Sequence, residues 1–289
     1  MMDFRAIAMG LMFSLMWSSA FATARIIVAD APPLYALACR FAISGLLAVG
    51  VARAMGQSWR LSQTQTRSVV LFGLLQNAAY LGLNFLALQW VEASLAVIIA
   101  ASMPLIVAAL GWAVRGDRVG RLGLAGLVAG FAGVALIMGT RVEGGADHLG
   151  VAMCIGGALA LAVATLTLRS ASGQGNMLMV VGLQMLVGSV ALGMVALAFE
   201  TPRLALTPSL VVAFAYQILV PGLAATLLWF ALVKRIGAVR AATFHFLNPF
   251  FGVMIAAALL GERIGPLDLL GVAVVAGGIL AVQLGRRPQ

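Results

Sequence analysis

Polar residues are sparse along this chain, and between them run ten apolar stretches: Ala6–Ile27, Pro33–Ala52, Ser68–Trp90, Ala93–Val114, Leu122–Gly139, Leu149–Leu168, Met177–Phe199, Ser209–Val233, Ala241–Leu260 and Leu267–Leu284. Each has the length, roughly 18–25 residues, that an α-helix needs to cross the hydrocarbon core of a bilayer. The pattern predicts an all-α membrane protein of about ten transmembrane helices. The interruptions repeat as well. Gly116-Asp117-Arg118-Val119-Gly120 and Gly261-Glu262-Arg263-Ile264-Gly265 each begin twelve positions after a proline, Pro104 or Pro249, set inside an apolar run. At the same spacing of 145, Gly126 and Gly133 return as Gly271 and Gly278, and Gln76-Asn77 falls opposite Pro221-Gly222. The chain therefore divides into a first five-helix repeat, residues 1–144, and a second, residues 145–289. Because five is odd, the second copy enters the membrane from the opposite side, and the two repeats are expected to be inverted about an axis in the membrane plane.

Composition narrows the class. With 63% hydrophobic residues, 9% charged residues and a mean hydropathy of +1.08, the chain has no stretch that reads as a soluble domain. The net charge of +9 does not point to nucleic acid, because no basic run is interleaved with exposed aromatics. It points to orientation. Arg53, Arg60 and Arg67, then Arg115, Arg118 and Arg121, then Arg169, then Lys234, Arg235 and Arg240, and finally Arg286 and Arg287 fall in alternate connections; Asp30, Glu92, Glu143, Asp147, Glu200 and Glu262 fall in the others. The positive-inside rule then places both termini in the cytoplasm. Arg5, an apolar run and Ala20-Phe21-Ala22-Thr23-Ala24 imitate a cleavable secretory signal, but cleavage would leave the first repeat one helix short. The segment is read as the first span. Cys39 and Cys154 both lie in apolar runs and read as small buried hydrophobes.

Candidate chemistry is confined to a few positions. Arg40 is the clear charged residue inside a span, and two readings stand: it binds backbone carbonyls and a helix end, or it offers positive potential to a substrate carboxylate. Asn77, Tyr80 and Asn84 share one face of the third helix; Ala241, His245, Asn248 and Gly252 share one face of the ninth. With Trp17 and Phe21 on the first helix and Trp229 on the eighth, these residues predict a substrate-binding wall of Trp17, Arg40, Asn77, Tyr80, Asn84, Trp229, His245 and Asn248 around a central cavity. Pro104, Pro221, Gly222 and Pro249 are the candidate hinges. Gly116 and Gly261 suit left-handed helix closure, with the following acid placed for the start of the next helix. Gly126 with Gly130, and Ser189 with Gly193, are spaced for close helix approach. All nine carboxylates fall in connections or at helix ends, so the intramembrane acid of a proton-coupled or lipophilic-cation carrier is missing. Neither a His-Glu-x-x-His zinc site nor a Gly-x-Ser-x-Gly nucleophile turn occurs; no metal, cofactor or catalytic residue is called for, and an enzyme is not expected.

Trp17-Ser18-Ser19-Ala20-Phe21, Arg40-Phe41 and the two proline helices ending in Gly-Asp-Arg and Gly-Glu-Arg resemble the ten-helix, two-copy carriers of the drug/metabolite transporter superfamily, in the branch of bacterial amino-acid and metabolite exporters, and most of all an aromatic amino-acid exporter. The resemblance covers nearly the whole chain; Asp117 departs from the glutamate such carriers often have. It implies a multi-pass protein of a bacterial inner membrane that exports amino acids by alternating access, facilitative or by exchange, with a small-molecule substrate and the lipid bilayer as its partners. The oligomeric state is left open, a monomer being compatible. An exporter of drugs or lipophilic cations is the alternative; a channel or an intramembrane enzyme has little support.

Overall fold

The computed structural model describes residues 4–115, 120–143, 145, 147–167, 176–236, 241 and 244–284. Within them every regular element is helical. In chain order these are α1 (Phe4–Asp30), α2 (Pro33–Ala54), α3 (Gln63–Ala87), α4 (Ala93–Ala101, then Met103–Arg115 after a turn at Ser102), α5 (Arg121–Glu143), α6 (His148–Thr167), α7 (Met177–Phe199), α8 (Pro208–Ile236), α9 (Phe244–Leu260) and α10 (Pro266–Leu284). Nine are long and apolar enough to cross a membrane, and α9 is shorter.

Local chemistry sets the ends. Pro33, Pro208 and Pro266 open α2, α8 and α10, where the missing N–H has no helical partner to lose. A capping box starts α3 at Gln63, upstream of the expected Ser68: Gln65 N–H donates to Ser62 Oγ at 3.2 Å, and Ser62 N–H to Gln65 Oε1 at 3.0 Å. Gly261 closes α9 with φ +67°, a left-handed conformation that disfavours a Cβ. The acid after it behaves differently from expectation. Glu262 reaches past its own connection to α4, accepting the N–H of Ala93 at 2.7 Å and of Ser94 at 3.0 Å; it is Asp268 that bonds the start of α10, through Gly265 N–H at 2.8 Å. Glu262 therefore neutralises the positive end of a distant helix dipole.

The same device recurs. Glu200, after α7, accepts the N–H groups of Leu34 and Tyr35 at the start of α2 at 2.9 and 3.0 Å, and Asp30, at the end of α1, accepts the hydroxyl of Thr207 at the start of α8. These three clamps share one end of the bundle. At the opposite end the contact in register is made by an amide: Gln57, after α2, accepts the N–H of Met179, which starts α7, at 3.0 Å.

The most extensive packing joins helices five apart, α5 with α10 and α2 with α7. A Cβ on Gly126 would stand 2.7 Å from the Gly278 carbonyl oxygen and one on Gly278 2.7 Å from that of Gly126; Gly133 and Gly271 face each other likewise at 3.1 and 3.3 Å. The four glycines matched by sequence register thus close one antiparallel interface. Close approach in α7 falls elsewhere than expected. Gly193 meets nothing within 4 Å, and Gly182 and Gly45 instead oppose each other's carbonyls at 3.0 Å. Ser189 does face α2, donating to Ala38 C=O at 2.8 Å. Two further sets of contacts match across the halves: α1 packs on α8 and α9, and α6 on α3 and α4.

Candidate functional site

Four helices lose their regular turn, in two pairs of equal register. The middle of α3 widens to a π-helix over Gly73–Tyr80, and the middle of α8 over Ile218–Ala224, so Gln76-Asn77 and Pro221-Gly222 both lie within the widened turns. In α4 and α9 the break precedes proline. Pro104 follows the turn at Ser102, and Pro249 follows a 3₁₀ turn over Phe244–Leu247. Proline removes a donor and crowds the preceding turn, which frees carbonyls that need other partners in an apolar interior. Hydroxyls bond carbonyls beside both breaks. Ser102 donates to Ile99 C=O at 2.6 Å, while Ser14 and Ser18 of α1 donate to Phe244 C=O at 2.8 Å and Asn248 C=O at 3.2 Å. Gly10 leaves room for the Phe244 ring.

Between these breaks lies a narrow, partly open cavity of about 40 Å³. Its wall is Trp17 and Phe21 of α1, Tyr80 of α3, Val97, Ala100, Ala101, Met103 and Pro104 of α4, Leu161 of α6, and His245 and Asn248 of α9. His245 sits among rings, with centroids 5.4 Å from Phe13, 6.5 Å from Trp17 and 5.2 Å from Trp229. Its Nδ1 lies 3.0 Å from Asn248 Nδ2, while the buried Asn248 Oδ1 has no hydrogen-bond partner. The lining is therefore mostly apolar and aromatic, with an unpartnered amide oxygen on one of its residues.

Of the eight expected wall residues, the structure brings Trp17, Tyr80, His245 and Asn248 together, and among the expected hinges Pro104. Trp229 stands behind the wall, against Phe13 at 4.8 Å and His245. Asn77 and Asn84 are buried away from the lining: Asn77 packs on Gly188, and Asn84 donates to Tyr80 C=O at 2.8 Å beside Gly157. Pro221 and Gly222 lie in the π turn of α8, and Pro249 in the first turn of the helical part of α9. Arg40 is buried on α2, outside the lining, with its guanidinium 5.3 Å from the Phe41 ring. Cys154 is buried, but Cys39 is exposed on the outer face of α2. Asp117 and Arg118 lie outside the described residues.

A polar layer between α1 and α8 was missed from the sequence. Ser19 Oγ and Tyr216 OH lie 2.8 Å apart, and Gln217 Nε2 donates to Ala20 C=O at 2.6 Å and to Thr23 Oγ1 at 2.8 Å. The adjacent pair Tyr216-Gln217, set just before the Pro221 interruption in an apolar run, was the available signal. Among the described residues no group of three or more His, Cys, Asp and Glu side chains is placed to hold a metal ion.

Known proteins bear on this geometry. The model of the EamA-like transporter family matches residues 4–139 and again 148–284, one match in each half of the chain. The uncharacterized transporter YvbV of Bacillus subtilis is 25% identical over 276 residues, covering 95% of this chain and 90% of its own length. The uncharacterized inner membrane transporter YedA of Escherichia coli is 24% identical over 298 residues, covering 96% and 90%. A WAT1-related chloroplastic protein of Arabidopsis thaliana is 24% identical, covering 94% of this chain and 67% of its own length. A solved crystal structure superposes with a TM-score of 0.71 at 20% identity, covering 98% of both chains.

Proposed function

The chain belongs to the EamA-like transporter family, and from that premise we propose that it exports amino acids with aromatic or other apolar side chains across a bacterial inner membrane, by alternating access around the cavity between α1, α3, α4, α6 and α9. The observation that carries this reading is the coincidence of that cavity with helices broken at equal register in both halves, at Ser102–Pro104 and at Phe244–Pro249. In carriers built from internal repeats, paired discontinuous helices mark the binding site near the midplane. Trp17, Phe21 and Tyr80 accommodate the apolar side chain, and the amide of Asn248 with the imidazole of His245 bonds polar groups of the cargo.

The two repeats, residues 1–144 and 145–289, are inverted in this mechanism, and both termini face the cytoplasm. Rocking of one set of helices against the other exposes the cavity to each side in turn. Pro104 and Pro249, and the π turns holding Pro221-Gly222 and Gln76-Asn77, absorb the change. Among the described residues the carboxylates stand at helix ends and in connections, which favours downhill movement or exchange over proton coupling and disfavours lipophilic cations as cargo. Counterflow in proteoliposomes tests the reading: labelled phenylalanine should exchange with saturation and trans-stimulation by aromatic amino acids. Flux that is linear in concentration and indifferent to the trans solute rules it out, and accumulation driven by an imposed pH gradient alone overturns the exchange mechanism.

A further inference from the structure

We propose that the junction of α2 and α8 is a carboxylate subsite, in which the Arg40 guanidinium and the Ser44 hydroxyl hold the anionic end of the cargo. The identity of the cargo rests on the amino-acid reading above; the subsite itself rests on unpartnered polar atoms. Arg40 is 6% exposed and Ser44 0%. Arg40 Nε and Ser44 Oγ are both buried without a hydrogen-bond partner, and among the described residues no carboxylate pairs with Arg40. The two residues are one turn apart and share the inner face of α2. Sequence alone left open whether backbone carbonyls satisfy this cation; in the structure no carbonyl accepts from its Nε.

The partner helix puts no side chain against the serine. A Cβ on Gly222, within the π turn of α8, would stand 3.2 Å from Ser44 Oγ and 2.9 Å from the Gln217 carbonyl oxygen, so a side chain there would crowd the serine hydroxyl. Gln217 Nε2 is committed to α1. A guanidinium held inside a bilayer without an opposite charge is costly, and its planar fork matches a carboxylate in a bidentate pair better than any other common ligand. One cation suits a monoanion, not a phosphate dianion. Neither Arg40 nor Ser44 is in the lining of the aromatic cavity, so the subsite is a separate place for the anionic end of the cargo.

The test uses the full chain in detergent and three probes: 3-phenylpropionate, which has the carboxylate and ring only, 2-phenylethylamine, which has the amine and ring only, and sodium chloride. Wild type should bind 3-phenylpropionate, and Arg40→Gln should lose at least about tenfold in affinity for it, as expected for one charge-assisted contact, with 2-phenylethylamine affinity unchanged. Ser44→Ala and Gly222→Ala, milder changes that keep the fold testable if Arg40→Gln does not assemble, should each weaken the same probe by about threefold or more. Retained affinity for 3-phenylpropionate in all the variants that fold overturns the subsite. So does stabilisation of wild type by chloride but not by 3-phenylpropionate, which would mark a simple anion site. If phenylalanine counterflow is absent while the Arg40 dependence of 3-phenylpropionate binding holds, the amino-acid cargo fails and the subsite stands; if counterflow is present without that dependence, only the subsite falls.

Discussion

At the scale of the residue, Asn248 shows how a nearly apolar wall can still select. Its nitrogen is committed to His245 Nδ1 and its oxygen to nothing, so a ligand donor would satisfy an acceptor that is otherwise buried at a cost. Asn248→Leu removes that acceptor at similar size. We expect the concentration for half-maximal phenylalanine counterflow to rise by about tenfold, the worth of one hydrogen bond to a charged group, with protein yield unchanged. Trp17→Ala removes ring contact with the side chain and should raise the same quantity about threefold or more, more for aromatic than for aliphatic cargo. Much of this wall was readable in the sequence, because polar residues in apolar runs are costly and therefore informative: Tyr80, His245 and Asn248 announced themselves. The segment Trp17-Ser18-Ser19-Ala20-Phe21 was only half readable. Its residues turn three ways, Trp17 and Phe21 to the cavity, Ser18 to α9, and Ser19 with the Ala20 carbonyl to α8, and only the fold says which neighbour stands where. Asn77 departs from the wall for a related reason: helical spacing puts it on one face with Tyr80, but the π-helix over Gly73–Tyr80 changes the angle per residue along that face, while Asn84, in the regular α-turns that follow, is spent on the Tyr80 carbonyl.

At the scale of the element, the breaks were legible and the ties between helix ends were not. Proline inside an apolar run has a local consequence, so the register of Pro104 with Pro249 was enough. Glu200 and Glu262 act on helices more than 160 residues away in the chain, and nothing local to either acid names its partner. Glu262→Ala strands two N–H groups at the start of α4. It should lower stability by about 1–3 kcal/mol, visible as a lower unfolding temperature in detergent, with Glu262→Gln, which keeps one acceptor oxygen, falling between. The glycine interface between α5 and α10 gives a sharper test. Gly278→Leu pushes a side chain into the Gly126 carbonyl and the Gly130 backbone, both 2.7 Å from the added Cβ, and should cost on the order of 1–3 kcal/mol or abolish folding. Gly193→Leu, at a position with nothing within 4 Å, should leave the unfolding temperature within about a degree of wild type. Equal losses in the two variants would mean that the interface is misplaced.

At the scale of the whole molecule, the two halves expected from the sequence are not separate bodies, since the two most extensive helix pairings, α2 with α7 and α5 with α10, both cross between them. If the halves are inverted as proposed, tags on the two termini should both be shielded from protease and impermeant label added outside intact cells, and accessible once the membrane is opened. Termini labelled from opposite sides would contradict the inverted arrangement, and both labelled from outside would overturn their cytoplasmic placement alone. Exposure also divides the cysteines: a lipid-soluble maleimide should modify Cys39 while Cys154 stays unmodified until the protein is denatured, a contrast that mass spectrometry reads directly. The clasp between α5 and α10 has a further consequence for how the protein is made. The glycine face of α5 leaves the ribosome early, and its mate arrives only with the final helix, after a delay on the order of ten seconds at ordinary rates of synthesis. For that interval the nascent chain carries a bare, small-residue groove in lipid. A message cut short before Pro266 yields a product that never covers it, which makes such fragments natural clients of membrane quality control and leaves the last nineteen-residue helix to decide whether the preceding nine become a carrier at all.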